Sequence, residues 1–336
     1  MRKERKRCNM TCPYIDMHCD TLLRSLMHKE QSIYDGEGMQ SLKQMQEAGQ
    51  MAQFFAVFFP PRNRPNPNPD FVMPPDDEFF EILSTNLEKE VAAHNDIFAL
   101  AKSGSDIEEN YKNGKLSAVL SIEDGRFVNG DMDKLIGLKK KGVCAISLTW
   151  NFANCFGFPN SKDAEIMGKG LTDFGKEAIG VMNETGIIVD VSHLSDGGFW
   201  DVVELTKKPF VATHSNCRAI SPHTRNLTDD MIKALAKKGG VAGLNFGAEF
   251  ISSDITSTVS RVEDLANNVL HMLKTGGEDI IALGTDFDGI RGTFEIEHPT
   301  QMSLLTDALE KKGVTPRQID KFLHENVLRV MKDCIG

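Results

Sequence analysis

The chain has 336 residues, 40% hydrophobic and 26% charged, with a net charge of -10. Such a composition supports a sizeable core and excludes a disordered chain. The acidic balance excludes a nucleic-acid backbone as partner, because phosphate binding needs a concentrated basic surface and only the opening MRKERKR is basic.

Residues 1–12 read as a disordered basic tail. A secretory leader needs an apolar stretch of about 7 to 15 residues after its basic start, and CNMTCPYIDM is too polar and carries a proline. Cys8 and Cys12 form a C-x-x-x-C with no second pair, which reads as a frayed terminus. Seven scattered cysteines without a C-x-x-C pair point to reduced thiols and a cytoplasmic location. No apolar run approaches the roughly 18 residues that cross a bilayer, so no membrane contact is expected.

Eight β-branched or apolar runs follow in order: YIDMH (14–18), AQFFAVFF (52–59), LSAVLSIE (116–123), VCAISLT (143–149), GIIVDVSH (186–193), FVATH (210–214), VAGLNF (241–246) and IIALGTD (280–286). Between them lie amphipathic stretches at Asp76–Lys102, Asp131–Lys141, Asp173–Glu184, Asp196–Leu205, Thr228–Lys238 and Val262–Lys274, several opening on an Asp or Thr suited to N-capping. Continuous apolar strands alternating with helices predict a parallel sheet covered on its outer face. Eight such units close a (β/α)8 TIM barrel, for which roughly 200 to 400 residues is the usual range. A doubly wound open sheet is disfavoured, because its glycine-rich phosphate turn is missing after the first strand, where HCDTLLRSL stands. The prediction is one catalytic barrel over residues 13–336. Its 60–75 segment, which holds seven of the thirteen prolines, is a stiff loop, either a lid or partner contact or a plain surface excursion.

The chemistry collects where these runs end. His18 and Asp20 lie two apart, so in a strand both side chains face one pocket. Glu123 closes the third run, His193 the fifth, His214 the sixth and Asp286 the eighth; Thr149, Trp150 and Asn151 finish the fourth, and Asn245 the seventh. Barrel closure brings these ends onto the rim where such barrels carry their active sites. Three imidazoles and two or three carboxylates suit Zn²⁺, with Mn²⁺, Co²⁺ or Fe²⁺ as alternatives. Two ions sharing so few donors require a bridge, and Glu123 is the carboxylate placed to give one oxygen to each. Such a pair, about 3.5 to 4 Å apart, holds a bridging hydroxide at neutral pH and polarises a carbonyl, which is the chemistry of amide or ester hydrolysis.

The segments DMHCDTLL, SIEDG, SLTWN, VDVSHLS, THSNCRAISPHTRNLTDD and LGTDFDGI, in this order over nearly the whole chain, resemble the membrane dipeptidase (renal dipeptidase) family of zinc metallopeptidases within the amidohydrolase-like barrels. The resemblance implies that His18 and Asp20 bind one zinc, that His193 and His214 bind the other, and that Glu123 bridges them. It implies further that Asp286 holds the bridging water and carries its proton to the leaving amine, and that Arg225 grips the terminal carboxylate of a dipeptide, L,D-dipeptides included. Asp288 is expected to be structural and His223 exposed and idle. The family also implies a homodimer.

One departure stands out from the better-known animal members, whose fourth strand ends in a histidine that steadies the tetrahedral intermediate. Here Trp150 takes that place, followed by Asn151, and either could offer a donor to the substrate. Those members are also exported and lipid-anchored, whereas neither a leader nor a lipid anchor is expected here, because the opening and closing residues are too polar. Two rival readings remain open on residues alone: another amidohydrolase acting on a cyclic amide or lactone, and a non-catalytic metal-binding barrel.

Overall fold

In the computed structural model, which describes residues 13–61, 71–254 and 256–335, the eight apolar runs are strands of one closed barrel. They are β1 (Tyr14–Cys19), β2 (Gln50–Phe58), β3 (Leu116–Glu123), β4 (Val143–Ser147), β5 (Ile188–Asp190), β6 (Val211–Ala212), β7 (Val241–Leu244) and β8 (Ile281–Leu283). Each pairs in parallel with the next, and β8 returns to β1, where Asp16 faces Leu283. Residues 1–12, including Cys8 and Cys12, and most of the proline-rich loop fall outside the described residues.

The strands are apolar on both faces because each face meets a different partner. Phe55, Val57, Leu120, Ile122, Val189 and Leu244 pack outward in one buried cluster with Leu83, Leu135, Ile179, Met182, Val202 and Leu235 of the surrounding helices. Ala52, Phe54, Val119, Ala145, Val211 and Ala282 have the opposite parity and fill the lumen, where they meet Val327, Val330, Met331 and Cys334 of the helix Asn326–Ile335. That helix abuts the strand starts: Asn326 Nδ2 donates to the Ile281 carbonyl, and Cys334 Sγ lies 3.2 Å from the Pro209 carbonyl. The amino-terminal end of the barrel is therefore closed, which leaves the opposite end as the open one.

The crossover helices begin where a hydroxyl or carboxylate can satisfy free backbone N–H groups. Asp131 caps Met132–Lys140, Thr172 caps Asp173–Thr185, Ser195 caps Asp196–Leu205 and Thr228 caps Asp229–Lys237.

Two expectations need correction. The stretch Asp76–Lys102 is not one helix: the helix ends at Ala93, and Phe98–Leu100 forms a short strand paired with Leu116–Ala118. His94, Asn95 and Asp96 are poor helix formers, and the strand fills the edge of β3 before β4 joins it at Leu120. The later barrel strands are also shorter than their apolar runs. His193 and Asp286 lie beyond β5 and β8 with φ of 69° and 63°, a left-handed backbone that leaves the ladder.

Candidate metal centre

Parity along β3 turns Glu123 into the lumen with Val119, and register sets it level with Phe58 of β2 and Ser147 of β4. Five other polar side chains converge on it at the open rim. His18 comes from the end of β1, Asp20 from the residue after that strand, His214 from two residues past β6, and His193 and Asp286 from the left-handed turns. The structure thus brings together all six residues that the sequence singled out for metal and proton chemistry.

The two oxygens of Glu123 serve different neighbours. Oε2 lies 3.5 Å from His18 Nε2. Oε1 lies 2.9 Å from His193 Nε2 and 3.6 Å from His214 Nε2. On the first side, ligand atoms of His18, Asp20 and Asp286 all lie within 4.8 Å of one another. On the second, His193 Nε2 and His214 Nε2 are 3.1 Å apart.

Outer hydrogen bonds fix which ring nitrogens are bare. Thr213 Oγ1 donates to Asp190 Oδ2 at 2.6 Å, so its lone pair is left to accept from His214 Nδ1 at 2.8 Å. Asn151 Oδ1 accepts from His193 Nδ1 at 3.0 Å. Both imidazoles therefore present unprotonated Nε2 atoms to each other. Two lone pairs at that distance repel unless a cation lies between them.

The donor set fits divalent cations. Tetrahedral donors about 2.05 Å from zinc stand about 3.3 Å apart, and the Glu123, His193 and His214 edges of 2.9, 3.1 and 3.6 Å bracket that value. On the other side, His18 Nε2 and Asp20 Oδ1 are buried polar atoms without a hydrogen-bond partner.

Electrostatics agree with this fit. Burial, reinforced by the Glu123 charge, pushes the Asp20 carboxyl well above the usual range. Burial opposes charge on His18, but Glu123, Asp286 and Asp20 outweigh it and raise the imidazole to about 10. His193 is lowered to about 4 by burial and by Arg225. Asp286 rises to about 6, chiefly through burial. The protein crowds the Glu123, Asp20 and Asp286 carboxyls together with the His18 imidazole and the Arg225 guanidinium, and the burial and mutual repulsion that raise Asp20 and Asp286 are what a cation would relieve.

Arg225 is 7% exposed. Its Nη1 donates to Ser215 Oγ and its Nη2 to the His214 carbonyl, while Nε has no partner. It is thus a buried guanidinium beside the candidate metal ligands with a donor to spare. Asp288 accepts from Thr21 Oγ1 and the Met39 amide and pairs with Arg24, so it ties the residue next to Asp20 to the Met39 loop.

One reading changes. His223 is half-buried and engaged: its Nδ1 accepts from the Arg225 amide and its ring meets Phe250 edge-on, which helps shape the arginine loop. Asn151, expected at the substrate, also holds the His193 ring through its Oδ1. Trp150 is half-buried beside the His193 ring.

Asp190, Thr213 and Asn245 are contributors whose roles the sequence left unread. Asn245 Nδ2 donates to Asp286 Oδ2 at 2.8 Å, leaving Oδ1 facing His18. Asp190 sits within an apolar run, where a carboxylate must find several donors, and that was the available signal. A matching arrangement holds β1, where Asp16 accepts from both the amide and hydroxyl of Thr285.

The family model for membrane dipeptidase (peptidase family M19) matches residues 2–334. An uncharacterised protein in the pqqA 5′ region of Klebsiella pneumoniae is 35% identical over 241 residues, covering 70% of this chain and 88% of its own length. An uncharacterised dipeptidase of Schizosaccharomyces pombe is 34% identical over 223 residues; the match covers 66% of this chain and about half, 53%, of that relative. Among solved structures, a metallopeptidase dipeptidase of family M19 is 29% identical with a TM-score of 0.87, covering 97% of this chain and 100% of its own. A metallopeptidase of Rhodobacter sphaeroides, solved with a phosphinate mimic of the dipeptide L-Ala-D-Ala, is 28% identical with the same TM-score and the same coverage.

Proposed function

The chain belongs to the membrane dipeptidase family of metallopeptidases, and from that premise we propose that it hydrolyses the single peptide bond of small dipeptides, L,D-dipeptides included, with two zinc ions. The observation that carries the reading is the division of Glu123, one oxygen toward His18 and the other toward His193 and His214. In this assignment His18 and Asp20 hold one cation, His193 and His214 the other, and Glu123 both. Bound there, the pair supplies a water ionised at neutral pH and a Lewis acid for the scissile carbonyl.

The chain's own groups do the rest. Asp286, with Oδ2 held by Asn245 and Oδ1 free toward the cluster, takes the proton of the attacking water as the new C–O bond forms. It returns that proton to the amine nitrogen as the C–N bond breaks. Arg225, with its unused Nε donor beside His214, receives the substrate's terminal carboxylate, a contact that selects dipeptides over internal peptide bonds. The phosphinate mimic of L-Ala-D-Ala bound by the Rhodobacter sphaeroides relative supports the D-residue on the carboxyl side.

Elemental analysis alongside rates on L,L- and L,D-dipeptides tests the proposal. Glu123→Ala is expected to lose both metal and hydrolysis, and Asp286→Ala to lose hydrolysis while keeping metal. Full activity in either variant refutes the assigned role. Arg225→Ala separates a dipeptidase from a hydrolase of cyclic amides or lactones: the former loses about 10²-fold or more in kcat/KM on dipeptides, as expected for an unpaired buried carboxylate, whereas a neutral ring substrate is indifferent to the change.

A further inference from the structure

We propose that Phe58, Trp150 and Phe152 form an apolar wall that receives the side chain of the substrate's amino-terminal residue, so that the enzyme favours dipeptides led by an aromatic or large aliphatic residue. The inference rests on the dipeptidase reading and specifies its substrate class.

Placement is the first argument. Phe58 ends β2 level with Glu123 and shares the lumen-facing parity of Phe54. The Trp150 ring lies 5.0 Å from that of Phe58, 6.0 Å from His193 and 6.0 Å from Phe152. Phe58, 3% exposed, backs Trp150, and the Trp150 and Phe152 rings carry an apolar surface from beside His193 out to solvent, where Phe152 is 53% exposed. Rings at these separations are within the range of favourable aromatic contact, and an open edge leaves room for one more.

Direction is the second. In a closed ring of eight strands, β2 and β6 stand opposite each other. Arg225 is anchored to His214 and Ser215, which follow β6. A dipeptide with its carboxylate at Arg225 and its scissile bond over Glu123 thus points its amino-terminal residue toward the β2 side, where Phe58 ends its strand and the Trp150 ring, reaching in from the end of β4, packs against it. None of the three rings carries a charge, so the wall rewards apolar area and penalises an acidic side chain that loses its water there.

The test uses the zinc-loaded full-length enzyme and a series of Xaa-Ala dipeptides with Xaa as Phe, Leu, Ala, Gly or Asp. The wild-type kcat/KM is expected to favour Phe-Ala over Gly-Ala by about tenfold or more, and Phe152→Ala to collapse that ratio by about tenfold, a loss typical of one aromatic contact plus its buried area. Phe152→Leu should restore much of the ratio. A wild type that favours Gly or Asp, or a Phe152→Ala variant with an unchanged ratio, overturns the apolar wall while leaving the dipeptidase reading in place. Failure of the loaded enzyme to turn over any dipeptide overturns both.

Discussion

Thr213→Val is the sharpest probe of how the cluster is held. The substitution keeps the shape of the side chain and removes only its hydroxyl, which donates to Asp190 Oδ2 and accepts from His214 Nδ1. Asp190 retains the amides of Thr213 and Ser192 and the Ser147 hydroxyl, so the carboxylate stays well supported. His214, 1% exposed, is left with a buried N–H and no acceptor. An unmet buried donor costs about 1 to 3 kcal/mol. The ring can escape that cost by rotating or changing tautomer, and either move spoils the Nε2 lone pair aimed at Glu123. Zinc affinity is therefore expected to fall about 10- to 100-fold, the usual effect of losing an outer-shell partner. Competition against a chromophoric chelator reads the affinity, a melting curve guards against misfolding, and Thr213→Ser should recover most of the loss. Zinc affinity in Thr213→Val within twofold of wild type, with an unchanged melting temperature, would show that the hydroxyl does not orient the ligand.

Gly289→Ala should cut activity about 100-fold with a small change in melting temperature, since its new Cβ would lie 2.2 Å from Asp20 Oδ2 and 2.4 Å from Asp286 Oδ1 and would force both carboxylates aside; steady-state rates within threefold of wild type contradict this. Zinc binding at pH 8 should release about one proton from His18, because its neighbours hold it at about 10 where an ordinary imidazole at about 6.5 would already be neutral. Calorimetry in buffers of different ionisation enthalpy counts that proton, and a slope of zero sinks the expectation. Asn151→Ala should weaken zinc binding without altering KM for dipeptides in the loaded enzyme, and the reverse pattern returns Asn151 to the substrate. Phe55→Ala, a fully buried ring between β2 and the helical layer, should destabilise the barrel by about 3 to 5 kcal/mol in a denaturant titration and leave zinc stoichiometry intact.

The barrel was legible because each strand is buried on both faces, so its apolar run is continuous and needs no alternation to be noticed. The six converging residues were legible for a related reason: a polar side chain that ends such a run has only the rim to occupy. What escaped notice depends on contacts between distant segments. The break after Ala93 serves a strand that exists only because β3 has a vacant edge below Leu120. Nothing local distinguishes the left-handed turn at His193 from a continued strand. Asn151 lies 42 residues from the ring it orients, and nothing in the sequence between them links the two. His223 looked exposed because its loop is polar, yet Phe250 and the Arg225 backbone enclose it.

The strain at the rim and the rigidity beneath it belong together. Asp124, His193, Asp286 and Asp288 all adopt positive φ, a conformation that costs about 1 kcal/mol or more for each non-glycine residue. Such turns persist only where their surroundings leave no alternative. Asp190 and Asp16 supply that constraint, each locking the strand end beside it through a threonine amide and hydroxyl. Close packing tightens it further: Gly243 and Gly284 admit the Thr213 carbonyl so closely that a Cβ on either would fall within 2 Å of it, at 1.9 and 1.7 Å. The backbone that delivers His214 is thus wedged against β7 and the residue that follows β8. Strand ends pinned this way give the rim side chains a rigid base, which is the arrangement that lets binding energy go into holding charge rather than ordering chain.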